Sequence, residues 1–320
     1  MPVDYSPEQL IKNTAYDIGF SEVGIAGIQP SEESDRVFDG WLERGFHGEM
    51  RYLSGGADKR HKPELLLDGA RSAICVGVNY HSESRRKQNE KRAEMSGGKF
   101  SVYAHGRDYH DVVANMLHEL ESRLRDVFPD MDAVASVDTE PISDRDFALR
   151  AGIAWLGKNT CAISQSFGSW IFLGELITTL RLTPDAPLES LCGSCTLCID
   201  ACPTGALDEP YTLDATRCIS YLTIEKRGDI GDEFHSAIGE NVFGCDDCQS
   251  VCPYNSVEQE TTVFRDGEGS SLLDLPLEDL ACLSDKEFGI AARGSAIGRC
   301  KAQGLRRNSE IVVKNRGANS

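Results

Sequence analysis

No stretch of the 320 residues is apolar for long enough to span a membrane, and residues 1–20 hold no apolar core of a secretory signal. The chain is therefore expected to be cytoplasmic. Positive charge is scarce: 33 Lys and Arg stand against 51 Asp and Glu, for a formal net charge of −18. That balance argues against indiscriminate binding to nucleic acid and leaves room for a local basic patch. There is no long low-complexity segment, and no internal repeat apart from two cysteine runs. What the chain has in quantity is cysteine, twelve in all. In a reducing compartment so many thiols point to metal or redox chemistry rather than to a disulfide framework.

The length suits two or three domains and a sizeable core. Residues 1–185 alternate helical and strand signals. "SPEQLIKNTAYDIGF" opens on a Ser cap with Pro at the first helical position, and "SEESDRVFDGWLERGF" reads as a second capped helix. "EVGIAGI" (22–28), "SAICVGVNY" (72–80), "AVASVD" (133–138) and "SWIFLGELITTL" (169–180) read as strands, the third ending on an aspartate. Val112, Met116, Leu120, Leu124 and Val127 form one helical face. "DRDFALRAGI" is helical, and 82–99 reads as a polar, mobile loop. The expected class is α+β: an α/β domain over 1–185, a cysteine-rich unit over 186–260, and a helical region over 261–320.

Cys192, Cys195, Cys198 and Cys202 make C-x2-C-x2-C-x3-C-P, the ferredoxin spacing for [4Fe–4S] clusters. Structural zinc instead pairs two knuckles across a longer loop. In the second run Cys245, Cys248 and Cys252 keep the spacing, but Val242 stands where the first ligand belongs, and the nearby candidate is Cys218. Because the fourth cysteine of such a run serves the other cluster, one cubane takes Cys192, Cys195, Cys198 and Cys252, and the other Cys202, Cys218, Cys245 and Cys248. Eight thiols fill two cubanes. Cys75 reads as a buried small hydrophobe, and Cys161, Cys282 and Cys300 are isolated. A bare ferredoxin is about as long as this segment alone, so the preceding 185 residues are expected to bind the electron acceptor.

The candidate site is "VDTEPISDRDFALRAGIAWLGKNT" (137–160), where Asp138 ends a strand and Arg145, Arg150 and Lys158 follow. On spacing alone a strand-end cap beside a solvated helix remains open. With "ELLLDGARSAI", "YAHGRDYH", "FLGE", "CGSCTLCIDACPTGAL", "RCISYLTIE", "CDDCQSVCPYN" and "GLRRN", this stretch resembles the epoxyqueuosine reductases along nearly the whole chain. Departures are Glu140 for Gly, Asp144 for Glu, and Ile153-Ala154 for Leu-Gly. Many members carry a longer C-terminal helical region, so contacts to tRNA made there are expected to be reduced.

The resemblance implies cobalamin as a further cofactor, base-off and without a His ligand to cobalt. It implies Asp138 as the acid that protonates the leaving oxygen of an epoxide, a role needing a raised pKa, with Trp155 and Phe147 as apolar walls. It implies cobalamin contacts at Arg60, Asp138, Ala162, Leu173, Ser220, Arg227, Cys245 and Asp246. Asp144 and Asp146 are then controls whose Asn variants are expected to stay active. The implied partners are a tRNA whose anticodon loop carries epoxyqueuosine and a low-potential electron donor of flavodoxin or ferredoxin type, with no membrane and a monomeric chain. Two basic clusters are candidates for phosphates: Arg85, Arg86, Lys87, Lys91 and Arg92; and Arg293, Arg299, Lys301, Arg306, Arg307, Lys314 and Arg316. Tyr103, Tyr109 and Tyr221 are candidates for stacking a splayed base. The alternatives are a reductive dehalogenase-like cobalamin enzyme on a small substrate, which the lack of a twin-arginine signal disfavours, and a ferredoxin-like carrier.

Overall fold

The computed structural model describes residues 5–29, 31–95, 97–264 and 269–318. The expectations for residues 1–4, and for the ends of the domains placed there and at 319–320, lie outside the described residues. Among the described residues eight strands follow in chain order: β1 (Glu22–Gly27), β2 (Ser72–Asn79), β3 (Lys99–Phe100), β4 (Ala133–Ser136), β5 (Trp155–Leu156), β6 (Ala162–Ile163), β7 (Ile171–Thr178) and β8 (Asn241–Phe243). Four form the main sheet in the order β1-β2-β7-β4, every pair antiparallel. The two central strands are apolar almost throughout because both faces are covered. The remaining strands pair as β3 with β8 and β5 with β6.

One face of the sheet carries the helices Pro7–Ile18 and Tyr109–Arg125, whose Ile11, Ala15, Val113, Leu117, Leu120 and Leu124 pack on Ile25, Ile74, Val76 and Leu176. Ser6 caps the first of them as expected, its Oγ accepting from the Gln9 N–H. The expected face of the second is right at Val112, Leu120 and Leu124 and wrong at Val127, which lies past the helix end and is 53% exposed. The opposite face carries the short helix Asp144–Arg150, with Phe147 and Ala148 against Ala26, Ala73 and Ile177.

A second core draws on all three expected segments. Phe100, Ile219, Leu222, Val242, Phe243, Leu305 and Val312 belong to it, so the C-terminal helix Lys301–Ala318 closes over β8. Asn308, fully buried, ties that helix down by donating to the carbonyls of Thr223 and Val242. Among the described residues no helix is long and apolar enough to cross a membrane.

The segment expected to be a mobile loop is a helix over Glu83–Met95. It has no apolar face. It is held by polar side chains instead: Asn89 pairs with the Phe100 backbone in both directions, and Arg85 and Arg92 donate to the carbonyls of Phe264, Gly98 and Leu275.

Candidate active site

A cavity of about 830 Å³ opens between the sheet and the segments 34–60 and 211–213. Its apolar wall is Ile171, Phe172 and Leu173 of β7 with Tyr80, Tyr103 and Tyr109. Tyr109 stacks flat on Phe172, with centroids 4.3 Å apart. Its polar wall is Arg60, Asp138, Ser143, Asp144 and Arg145.

Asp138 stands two residues past β4 in the left-handed region, at φ 54°. Aspartate is among the few residues besides glycine that enter this region readily, and here the conformation aims the side chain at the cavity. Its Oδ2 accepts from the Tyr109 hydroxyl at 3.0 Å, and His110 Nε2 lies 4.0 Å away. Burial works to lower the His110 pKa, but the Asp108 carboxylate bonded to Nδ1 at 2.7 Å, with Asp138 beyond, raises it above its ordinary value. The apolar housing expected for Asp138 is not present: its side chain is 69% exposed, and Trp155 and Phe147 are buried outside the cavity lining. Trp155 packs on Tyr254 and Phe147 under Arg150.

All twelve cysteines are free thiols. Val242 is fully buried in β8, so its position offers nothing to a cluster. Cys218 caps the helix Ile219–Ile224 and packs with Cys245 against the second core. Burial raises its thiol, backbone N–H groups of Tyr221 and Ser220 oppose that, and Cys248 and Cys202 raise it further. Burial likewise raises Cys252, against the Tyr254 N–H, with Cys192 and Cys195 adding to the rise. These thiols act on one another both within and across the sets read from spacing, Cys198 being raised by Cys248 as well as by Cys252 and Cys192. Without iron, thiols this close hold their protons, and a cluster replaces those protons with metal. Among the described residues no three Cys, His, Asp or Glu side chains converge on one ion. A cubane asks for one thiol per iron, not several at one point. Cys161 also reaches the Cys248 thiol by a side-chain hydrogen bond, which its isolation in the chain did not reveal.

The loop Gly157–Thr160 joins the cavity to both sets. Lys158 Nζ donates to the carbonyls of Gly193 and Cys195 at 2.7 and 2.9 Å. Asn159 donates to Cys248 O at 3.3 Å, and Thr160, at φ 64°, lines the cavity while its carbonyl accepts from Arg145. On the far side Asn255 accepts from the Ser169 N–H at 2.6 Å and donates to Ser169 Oγ and Gln249 O. A Cβ on Gly168 would stand 2.0 Å from that amide, so only glycine lets the strand approach.

Of the side chains expected at cobalamin, Arg60, Asp138 and Leu173 line the cavity. Ala162 is buried behind Leu173, and Ser220 Oγ donates to Cys245 O. The half-buried Asp246 carboxylate accepts from Ser101 Oγ and the Val102 N–H. Arg227 lines a neighbouring pocket of about 440 Å³ with Arg51, Tyr52, Arg299 and Lys301, and its guanidinium donates to the carbonyls of Ile224, Arg299 and Cys300. Tyr103 and Tyr109 line the cavity, whereas Tyr221 is a core residue whose hydroxyl accepts from the Glu49 N–H. Most of the basic candidates serve the fold: Arg85 is buried, Arg307 donates to three carbonyls, and Arg316 pairs with Glu240. Two acidic residues were missed as a pair, Asp144 and Glu175. The available signal was a glutamate inside the apolar run "FLGELIT".

Comparison with known proteins places this arrangement. Residues 60–139 match the family model for epoxyqueuosine reductase QueG (DUF1730), and residues 191–255 match that for the 4Fe-4S double cluster binding domain. The epoxyqueuosine reductase of Leadbetterella byssophila is 38% identical over 97% of this chain and 98% of its own length. The chain belongs to the epoxyqueuosine reductase family. It is thereby an oxidoreductase of queuosine biosynthesis with a double [4Fe–4S] domain. The Gloeobacter violaceus relative is 41% identical over 95% of this chain and 94% of its own, and the Escherichia coli relative 37% over 96% and 80%. Among solved structures, an epoxyqueuosine reductase with an epoxyqueuosine-modified tRNA stem loop superposes with a TM-score of 0.83 at 31% identity, over 96% of this chain and 80% of that one. The Bacillus subtilis enzyme with its catalytic aspartate loop swung out of the active site has a TM-score of 0.83 at 30% identity, over the same shares.

Proposed function

We propose that the chain reduces epoxyqueuosine to queuosine in the anticodon loop of a tRNA, at the cavity bearing Asp138. The observation that carries this reading is the joining of that cavity to both thiol sets through Gly157–Thr160, which sets an electron path beside an acid. The cavity also suits a corrin. It is wide and walled by β7 and tyrosines, and Arg60 Nη1 is buried there with no acceptor among the described residues, as a residue meant for an amide or phosphate of a ligand would be. Arg60 and Leu173 would hold that group. When bound, its reduced cobalt supplies two electrons at one atom, which an epoxide needs.

The chain's own residues do the rest. The eight cysteines, in the two sets given above, hold the clusters. Lys158 and Asn159 fix the cluster loops against the cavity floor. Asp138, held by Tyr109, gives the leaving oxygen its proton, since an alkoxide is a poor leaving group at neutral pH. Its exposure and left-handed backbone suit a loop that swings in once substrate fills the cavity, consistent with the mobile loop of the Bacillus subtilis relative. Electrons arrive from a low-potential donor of flavodoxin or ferredoxin type. The working chain is a cytoplasmic monomer, with units at 1–185, 186–260 and 261–320. The test is anaerobic reconstitution with iron, sulfide and cobalamin, followed by assay on tRNA bearing the epoxide. Queuosine formation is expected, and a reconstituted chain that binds this tRNA yet leaves the epoxide intact overturns the reading.

A further inference from the structure

Removing the oxygen of an epoxide breaks two C–O bonds and forms one C=C bond. The balance is epoxide plus two electrons plus two protons, giving alkene plus water. The clusters and their donor supply the electrons. Asp138 carries at most one proton, so a second proton must come from elsewhere in each turnover.

Glu175 lies in the middle of β7, on the face covered by the helix Asp144–Arg150, between Leu173 and Ile177. It is completely buried. Its sheet neighbours in register are Cys75 of β2 and Ser136 of β4. Among the described residues neither of its oxygens, nor the shielded Oδ1 of Asp144, receives an N–H or O–H donor. The one partner at Glu175 is the Asp144 carboxyl itself. A carboxylate sealed in the fold with no donor to either oxygen cannot lie against a second carboxylate unless the two share a proton. Burial and the Asp144 charge push the Glu175 pKa well up, so the proton resides on Glu175 and is donated to Asp144. Asp144 is the open end. It lines the cavity, and its carboxylate also accepts from the backbone N–H of Asp138. The other charges in reach are Arg60 and Asp138 at the cavity, and Asp146 with Arg150 behind it. His110 faces Asp138 rather than the pair.

We propose that Asp144 and Glu175 form a one-mouthed proton store that delivers the second proton of the reaction, through Asp144, into the Asp138 site. Asp144 is then a working residue, not the inert control its place on the following helix suggested. This rests on the reading of Asp138 as the acid, and the test separates the two.

The first measurement needs no cofactor. The infrared spectrum of the apoprotein at neutral pH should contain a protonated-carboxyl band that Glu175→Gln removes, that Asp144→Asn shifts by changing its acceptor, and that Asp138→Asn leaves. An unchanged band in both pair variants overturns the store. The second uses the reconstituted enzyme. With clusters, cobalamin and tRNA binding intact, Glu175→Gln should turn over about 10²-fold more slowly at pH 8. Its rate should fall as pH rises across the neutral range, where the parent stays flat, because its second proton now comes from solvent. Asp144→Asn reads the same property if Glu175→Gln does not fold, and Asp144→Glu, which keeps a carboxyl, should restore the flat profile. Parental rate and profile in Asp144→Asn overturn the inference while leaving the function standing. Failure of the parent itself to form queuosine overturns the function, and the infrared band still decides the store.

Discussion

At the scale of single residues the chemistry rests on carboxyl groups in contrasting surroundings. Asp138 is exposed, left-handed in its backbone and bonded to a tyrosine, and Glu175 is sealed in a sheet. Asp138→Asn preserves shape but has no proton to give, so turnover should fall at least about 10²-fold with both clusters and cobalamin retained. A parental rate in that variant would move the acid elsewhere. Glu175 also makes a prediction about stability. The folded state keeps its proton above the ordinary carboxylate value of 4.5, so it binds more protons than the unfolded chain from there up to the raised value. Stability therefore falls as pH rises through that window, with a limiting slope of about 1.4 kcal/mol per pH unit for one proton. Glu175→Gln has no such proton, and its Tm should fall less steeply with pH. Parallel Tm curves for parent and variant would mean that Glu175 is already ionised in the fold.

At the scale of elements, what the sequence made legible was whatever followed a period or a spacing. The four main strands and the capped helix at Pro7 follow apolar runs and cap chemistry. The helix Glu83–Met95 was illegible because it buries amide and guanidinium groups against distant carbonyls, and no local pattern encodes such partners. The contact of Asp144 with Glu175 is hidden for the same reason: thirty-one positions part them, and only the sheet brings them together. Cys218 is assigned as a ligand by elimination, and its test is direct. Cys218→Ala should lower iron from about eight per chain and impair one cluster while sparing the other. Unchanged iron would place the fourth ligand elsewhere, with Cys161, beside Cys248, the next residue to replace. Lys158 sets a positive charge on the loop of the other set. Lys158→Met should make that cluster's midpoint potential more negative, since reduction adds negative charge that the ammonium favours. A potential equal to the parent's would confine Lys158 to holding the loop.

At the scale of the whole molecule, a chain of net charge −18 must meet a polyanion. In the two basic clusters read from the sequence most guanidinium groups are committed to backbone carbonyls, which leaves few free charges such as Lys301 of the second cluster. Reversing Arg307 would strip donors from the carbonyls of Leu222, Lys226 and Gly228, and Arg306 bonds Leu283 O and Asp285. Weaker binding in such variants would report a damaged fold. The pocket formed by Arg51, Arg227, Arg299 and Lys301 is better placed. Its Arg299 acts electrostatically on His110, and its Tyr52 lies within reach of the Asp138 charge, so it adjoins the catalytic cavity. Arg299 is paired with Glu225, and Arg227 is spent on carbonyls, whereas Arg51 and Lys301 are exposed. A phosphate beside the flipped base would meet those two. The double variant Arg51→Glu, Lys301→Glu should keep its iron, its cobalamin and its Tm. It should bind the stem loop more weakly, and the slope of log affinity against log salt should shrink by roughly one for each phosphate that is no longer neutralised. Equal affinity at low salt, with an unchanged slope, would show that the anticodon arm crosses the molecule on another face.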